Sequence, residues 1–213
     1  MLKIKVFAFN FFDENTYLLW DDATKEAVVI DPGMLFDQER QTFDNEVKSL
    51  GVKLKMVLQT HMHLDHIFGT NHLVEEYGVE VAAHPADAFL GETLADQCKR
   101  FGIRIPLQPV HITHPLAAGD QITVGEHIIK VLTVPGHSAG GLAFYCQDIA
   151  TVFSGDSLFS GSIGRTDLPG GSLPQLLQSI KEQLFSLPDD TVVLSGHGPS
   201  TTVGEEKRSN PYF

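Results

Sequence analysis

A chain of 213 residues with 42% hydrophobic content is long enough to bury a substantial core, and a net charge of −12 with no basic run excludes a nucleic-acid partner held through phosphates. Cys98 and Cys146 stand far apart and in no metal-binding spacing, which argues against a disulfide framework and predicts two reduced internal thiols. No apolar stretch is long enough to span a membrane.

From the N-terminus, the lysine-interrupted apolar run Leu2–Phe9 predicts a strand with one solvated face. It faintly imitates an export signal, but Asn10 interrupts the run and Asp13-Glu14-Asn15 follows where small residues would be needed, so a cytoplasmic protein is expected. Residues 16–20 and 27–30 predict two further strands, separated by the turn-prone Asp21-Asp22-Ala23-Thr24-Lys25, and Asp31-Pro32-Gly33 stops the second. Helical spacing predicts a helix over Asp37–Leu50, ended by Gly51. Next come a buried strand at residues 54–58, a helix over 66–77 ended by Gly78, a strand at 79–83 and a helix over 86–99. A proline-bearing irregular stretch then runs through Pro115.

Residues 121–124 and 127–134 predict a hairpin across Gly125-Glu126, with strands following at 142–146 and 151–153. Residues 172–187 carry leucines and isoleucine at helical spacing, with Ser172 as N-cap and Pro174 in the first turn. A last strand at 191–194 leads into Gly196-His197-Gly198. Strand-rich and helix-bearing segments alternate, and the two halves share an order of elements. An α+β fold accommodates this as a single domain over residues 1–213: two packed sheets flanked by helices, a four-layer αββα sandwich.

The chemistry concentrates in Thr60-His61-Met62-His63-Leu64-Asp65-His66, directly after an apolar strand. Packing has no use for three imidazoles in one turn, whereas divalent metals favour this mixture of nitrogen and oxygen donors. In an extended segment residues two apart project to one side, so His61, His63 and Asp65 can converge. His66 follows at a strand-to-helix junction, where the turn can aim it at a neighbouring position, and one loop can then serve two ions. Three later loops repeat a theme: Gly136-His137, Gly155-Asp156 and Gly196-His197 each place a potential ligand after a strand and a glycine. His72, His84, His111, His114 and His127 read as ordinary core or surface histidines.

This order, HxHxDH followed by GH, GD and GH, resembles the metallo-β-lactamase superfamily over nearly the whole chain. Pro135-Gly136-His137-Ser138-Ala139-Gly140, Ile163-Gly164-Arg165-Thr166-Asp167, and the tail Thr201-Thr202-Val203-Gly204-Glu205 with Asn210-Pro211 make it most similar to the short glyoxalase II-like hydroxyacylglutathione hydrolases. The resemblance implies the αββα sandwich of that superfamily and two divalent ions, zinc first, with iron or manganese also accepted by the donors. It assigns His61, His63 and His137 to one ion, Asp65, His66 and His197 to the other, and Asp156 to both. Asp65 would also orient the attacking water, and Asp31 would hold a ligating histidine. Arg165 would either pair with Asp167 or reach an anionic substrate.

The activity implied is hydrolysis of a small-molecule acyl thioester, S-lactoylglutathione or a related hydroxyacylglutathione, with no nucleic-acid or membrane partner. Oligomeric state is left open. The alternatives are hydrolysis of another ester or thioester, and a mononuclear iron persulfide dioxygenase of similar fold and motif, using His61, His137 and Asp156. Pro169-Gly170-Gly171 after Asp167 leans toward the hydrolase.

Overall fold

Three antiparallel strands open the chain, β1 (Leu2–Phe9), β2 (Glu14–Asp21) and β3 (Glu26–Ile30). Strands and helices then alternate: α1 (Asp37–Leu50), β4 (Lys53–Leu58), α2 (Leu64–Ile67), α3 (Thr70–Tyr77), β5 (Glu80–Ala83), α4 (Ala88–Glu92), α5 (Leu94–Arg100) and the two-residue β6 (His114–Pro115). These six strands form one sheet in chain order, parallel from β3 onward. The second half supplies β7 (Gln121–Val124), β8 (His127–Thr133), β9 (Leu142–Cys146), β10 (Thr151–Gly155), the small hairpin β11 (Leu158–Phe159) and β12 (Ser162–Ile163), α6 (Leu173–Ser179), β13 (Val192–Ser195), β14 (Thr201–Thr202) and α7 (Val203–Ser209). Its sheet runs β14-β13-β10-β9-β8-β7. The computed structural model describes all of residues 1–213.

The central strands β3, β9 and β10 are apolar on both faces because both faces are covered, whereas β1, β7 and β8 carry exposed residues. Leu19, Ile30, Leu58, Phe144 and Phe153 fill the space between the sheets, where the Tyr17 and Phe153 rings meet edge-on at 5.1 Å. Their neighbours Leu18, Val29 and Val57 point outward, under Phe43 and Val47 of α1 and Leu73 of α3. On the far side Val152 and Val193 lie beneath Leu176 of α6, Ile180, Leu184 and Val203. Helix, sheet, sheet, helix is therefore the expected sandwich, and period-2 alternation is masked in the central strands, where inward and outward residues are equally apolar, but survives in β7.

Strand direction decides where chemistry can collect. Strand β9 is antiparallel to both β8 and β10, and β10 is parallel to β13, so β8, β10 and β13 end on one edge of their sheet. Strands β3, β4 and β5 likewise share an edge of the other. The two edges are stitched together: Leu142 N donates to Thr60 O at 2.7 Å, and Asn15 N to Gly196 O at 2.7 Å. Every segment that follows one of these strand ends opens on this common seam.

Several expected elements are corrected. The helix expected over 66–77 is two helices, because Gly69 N donates to Pro32 O at 2.8 Å and a side chain there would press on Met34 and the Pro32 carbonyl. The helix over 86–99 is preceded by a tight turn at Pro85–Asp87 and breaks at Thr93, whose hydroxyl bonds back to Phe89 O at 2.6 Å. Ser172 occupies the N-cap position of α6 without a side-chain capping bond, and Pro174 lies in its first turn. Past Ser179 the coil widens to a π-turn over Ile180–Leu184. Strands β6, β11, β12 and β14 and helix α7 lay outside the expectations. Both cysteines are free and buried, as expected, and no helix is long and apolar enough to cross a membrane.

Candidate metal centre

The strand β4 leaves its sheet at Gln59, and the next seven residues cross the seam in a buried turn. His61 and His63 meet His137, which follows β8. His63 Nδ1 lies 2.8 Å and His61 Nε2 3.2 Å from His137 Nε2. Across the seam, His197 Nε2 lies 3.2 Å from Asp65 Oδ2, and His66 Nε2 lies 3.9 Å from the same oxygen. Asp156, after β10, faces both groups. Its Oδ1 is 3.4 Å from His66 Nε2, while its Oδ2 is 3.7 Å from His137 Nε2 and 3.5 Å from His197 Nε2. All seven residues expected at the centre are brought together, as two triads with Asp156 between them.

Hydrogen bonds at the far ring nitrogens fix which atom each imidazole presents. His137 Nδ1 donates to Arg165 O at 2.7 Å, His197 Nδ1 to Phe12 O at 3.0 Å and His66 Nδ1 to Asp31 Oδ2 at 3.0 Å. Thr60 gives its proton to Asp31 Oδ2 at 2.5 Å, so it accepts from His61 Nδ1 at 3.0 Å. These four rings therefore turn Nε2 toward the centre, and His63 alone turns Nδ1. The lone pairs of His61 Nε2 and His137 Nε2 consequently face each other at 3.2 Å. His66 Nε2 and Asp156 Oδ1 are buried without hydrogen-bond partners. Opposed lone pairs and orphaned buried acceptors are unfavourable by themselves and fit a cation among them.

Electrostatics separate the two triads. Burial, reinforced by neighbouring imidazoles, holds His61 well below the ordinary histidine range and His63 down at about 3, so both are neutral and ready to ligate. Burial acts the same way on His66, but the carboxylates of Asp156, Asp65 and Asp31 outweigh it and raise its pKa. His197 is likewise raised, by Asp65 and Asp156 against burial. The same imidazoles overcome burial at Asp65 and Asp156 and keep both carboxylates ionised.

Asp31, expected at a ligating histidine, reaches two. Its carboxylate takes His66 Nδ1 directly and His61 through Thr60, and Thr60 N donates to Oδ1 at 2.7 Å. It holds φ at 49°, a left-handed value that a non-glycine residue adopts only under constraint. Gly155 has φ of 50°, and a side chain there would strike Thr60; one at Gly196 would strike Asp156 and His66. These two glycines leave room for the ligand frame.

Other supports carry no pattern in the sequence. Asp87, in the tight turn after β5, accepts from Ser138 Oγ at 2.7 Å, Gly140 N at 2.6 Å and Met62 N at 3.3 Å, tying the two histidine loops together. Gln97 accepts from Leu64 N at 3.1 Å and donates to Met62 O at 3.2 Å and Leu90 O at 2.8 Å. Asn10 Nδ2 donates to the carbonyls of Asp65 at 3.0 Å and Gly33 at 2.9 Å. Glu14 lies fully buried with Oε1 3.9 Å from His66 Nδ1, and burial pushes its carboxyl well above the ordinary range. A lone acid at a strand start carries no mark of this depth.

Above the centre opens a cleft of about 230 Å³, walled by Phe12, Leu64, Phe101 and Leu168, with His63, Asp65, His137, Asp156 and His197 at its floor. Arg165 also lines it, with its guanidinium forked onto Asp167 at 2.8 and 2.7 Å. Both readings open for Arg165 thus have a structural basis. His72, His127 and His114 make contacts with Asp44, Asp148 and Glu80 away from the centre.

Residues 10–197 match the model of the metallo-beta-lactamase superfamily. The chain is 36% identical to the hydroxyacylglutathione hydrolase GloC of Haemophilus influenzae, over 100% of this chain and 98% of that protein. Among solved structures it is similar to the BLEG-1 B3 metallo-beta-lactamase, with a TM-score of 0.90, 35% identity and coverage of 99% of both chains. It is also similar to TTHA1623 in a di-iron-bound form, with a TM-score of 0.86, 38% identity and coverage of 98% of this chain and 100% of that one. Sequence match, sandwich topology and a seam of histidines and aspartates agree, and the chain belongs to the metallo-beta-lactamase superfamily.

Proposed function

We propose that this metallo-hydrolase cleaves acyl thioesters, with S-lactoylglutathione or a related hydroxyacylglutathione as substrate, using His61, His63 and His137 for one divalent ion, Asp65, His66 and His197 for a second, and Asp156 for both. The observation that carries the reading is Asp156, whose two oxygens face different triads. The similarity to a hydroxyacylglutathione hydrolase over the full length supports the substrate class. Zinc is the expected metal, and the di-iron relative keeps iron in play beside manganese.

Bound in pairs, divalent ions supply a water nucleophile at neutral pH and polarise the carbonyl under attack. Asp65, kept ionised with Oδ2 beside His197, orients that water and takes its proton. The aromatic walls of Phe12 and Phe101 exclude bulk water from one side of the cleft. As the carbon–oxygen bond forms and the carbon–sulfur bond breaks, the sulfur departs as a thiolate, which needs no protonation to leave. That matches a cleft whose remaining groups are apolar or, at Arg165, cationic. Arg165 lies where an anionic part of the substrate would enter.

Metal analysis of the purified protein beside a thioester panel tests the proposal. His63→Ala is expected to lower metal occupancy and hydrolysis together, and unchanged turnover at reduced occupancy refutes it. The compact triad of His61, His137 and Asp156 is also what a mononuclear iron oxygenase would use. A single iron with oxygen uptake on glutathione persulfide, and no thioesterase activity, would replace the hydrolase with that reading.

A further inference from the structure

The arginines are placed in a way the overall charge does not explain. Acidic residues outnumber basic ones by 27 to 15, and only Arg40, Arg100, Arg104, Arg165 and Arg208 are arginines. Three of these line adjoining cavities at the mouth of the metal centre: Arg165 the cleft, Arg100 the cavity beside it and Arg104 the groove beyond Phe101. Arg40, Arg165 and Arg208 each pair with a carboxylate. The side chains of Arg100 and Arg104 make no ion pair and no hydrogen bond.

The cavity that holds Arg100 measures about 220 Å³ and shares His63, Phe101 and Leu168 with the cleft over the metal centre. Its other walls include Phe89 and Leu90 of α4. Most of its polar groups are committed. Gln97 spends its amide on Leu64, Met62 and Leu90, and the Thr93 hydroxyl on Phe89 O. Asp96 lies one turn before Arg100 on α5 and makes no ion pair with it. Arg100 is therefore the uncommitted cation of a chamber that is apolar on one side and opens onto a ligand histidine. A guanidinium in that setting forks onto a carboxylate with two charge-assisted hydrogen bonds.

We propose that Arg100 is a specificity-determining residue that selects the thiol carrier, binding a carboxylate of the carrier while the carrier lies against Phe101 and its thioester reaches the cleft past His63. The inference rests on the thioester reading above and adds to it the residue that separates charged from neutral carriers. Arg100 touches no reacting atom, so it acts on substrate binding and leaves the chemical step alone.

The test compares S-lactoylglutathione, which carries carboxylates, with the lactoyl thioester of N-acetylcysteamine, which has none, on zinc-loaded protein. Arg100→Ala is expected to raise KM for the glutathione thioester about tenfold, the loss of one good ion pair, with kcat within about twofold and no change for the neutral thioester. Arg100→Lys, a point charge without the fork, is expected to recover part of the loss. Equal effects on both substrates, or none on the glutathione thioester, overturn the proposal. Titration of S-methylglutathione and its dimethyl ester into the zinc-loaded protein gives a readout without turnover. The wild type is expected to prefer the free acid about tenfold and Arg100→Ala to abolish that preference. A wild type with no preference overturns the role of Arg100, whereas a wild type that shows the preference but hydrolyses no thioester overturns only the proposed function.

Discussion

Replacing Asp87 by alanine puts the seam itself to the test. The carboxylate is fully buried and holds three donors, Ser138 Oγ, Gly140 N and Met62 N. The Ser138 hydroxyl can rotate toward another acceptor, but the two amides are fixed by the backbone and would be left dry. An unsatisfied buried donor costs about 1–3 kcal/mol, and the Met62 bond, at 3.3 Å, belongs at the low end. Removing a buried carboxyl returns part of this, since burial already pushes its pKa up. The net loss is about 3 kcal/mol. Urea unfolding of chelator-treated protein, followed by the fluorescence of Trp20, measures it. Zinc affinity is expected to fall about tenfold as well, because the turn carrying His61 and His63 is no longer tied to the loop carrying His137. A destabilisation below about 0.5 kcal/mol with undiminished zinc affinity would show that Asp87 does not tie the two loops together.

Asp31→Ala removes the partner of His66 Nδ1 and, through Thr60, the brace of His61, so it is expected to weaken zinc about 10–100-fold in a chelator competition. Unchanged affinity would show that the rings are oriented without it. In metal-free protein His63 is depressed from 6.5 to about 3, so between those values the unfolded chain binds the extra proton and stability falls as pH drops. His66 and His197, raised, act oppositely: their contribution is complete below 6.5 and lost as pH climbs through their folded values. His63→Gln should therefore flatten the acid limb of the urea midpoint between about pH 6.5 and 3 in metal-free protein, and an unaltered acid limb would count against the assignment.

The centre was legible because metal binding demands rare residue types, packed at turns, and packing offers no rival use for them. The histidine-rich turn after β4 and the three glycine-preceded ligands stand out in one dimension. Asp87 and Gln97 do not, since their work depends on the turn after β5 and on the middle of α5 lying near that histidine turn, a fact of tertiary packing and not of spacing. The helix break at Gly69 was equally hidden, because the competing acceptor is Pro32, thirty-seven residues earlier. Helix α7 did leave a signal: in Thr202-Val203-Gly204-Glu205 the threonine side chain accepts from Glu205 N at 3.2 Å, the start pattern of a capped helix. Arg165 was read with both its possible partners, and the fork onto Asp167 is the one the structure forms.

Four of the seven donors hang from the first sheet and three from the second, so a captured cation rivets one half of the sandwich to the other. Ligand held only by the native form shifts the unfolding balance by mass action, by about 2.7 kcal/mol when free ion exceeds its dissociation constant a hundredfold. Bound metal would then lengthen the life of each folded copy as well as serve the proposed reaction. Scarcity would thin the population of intact molecules before any catalytic defect in the remainder was noticed.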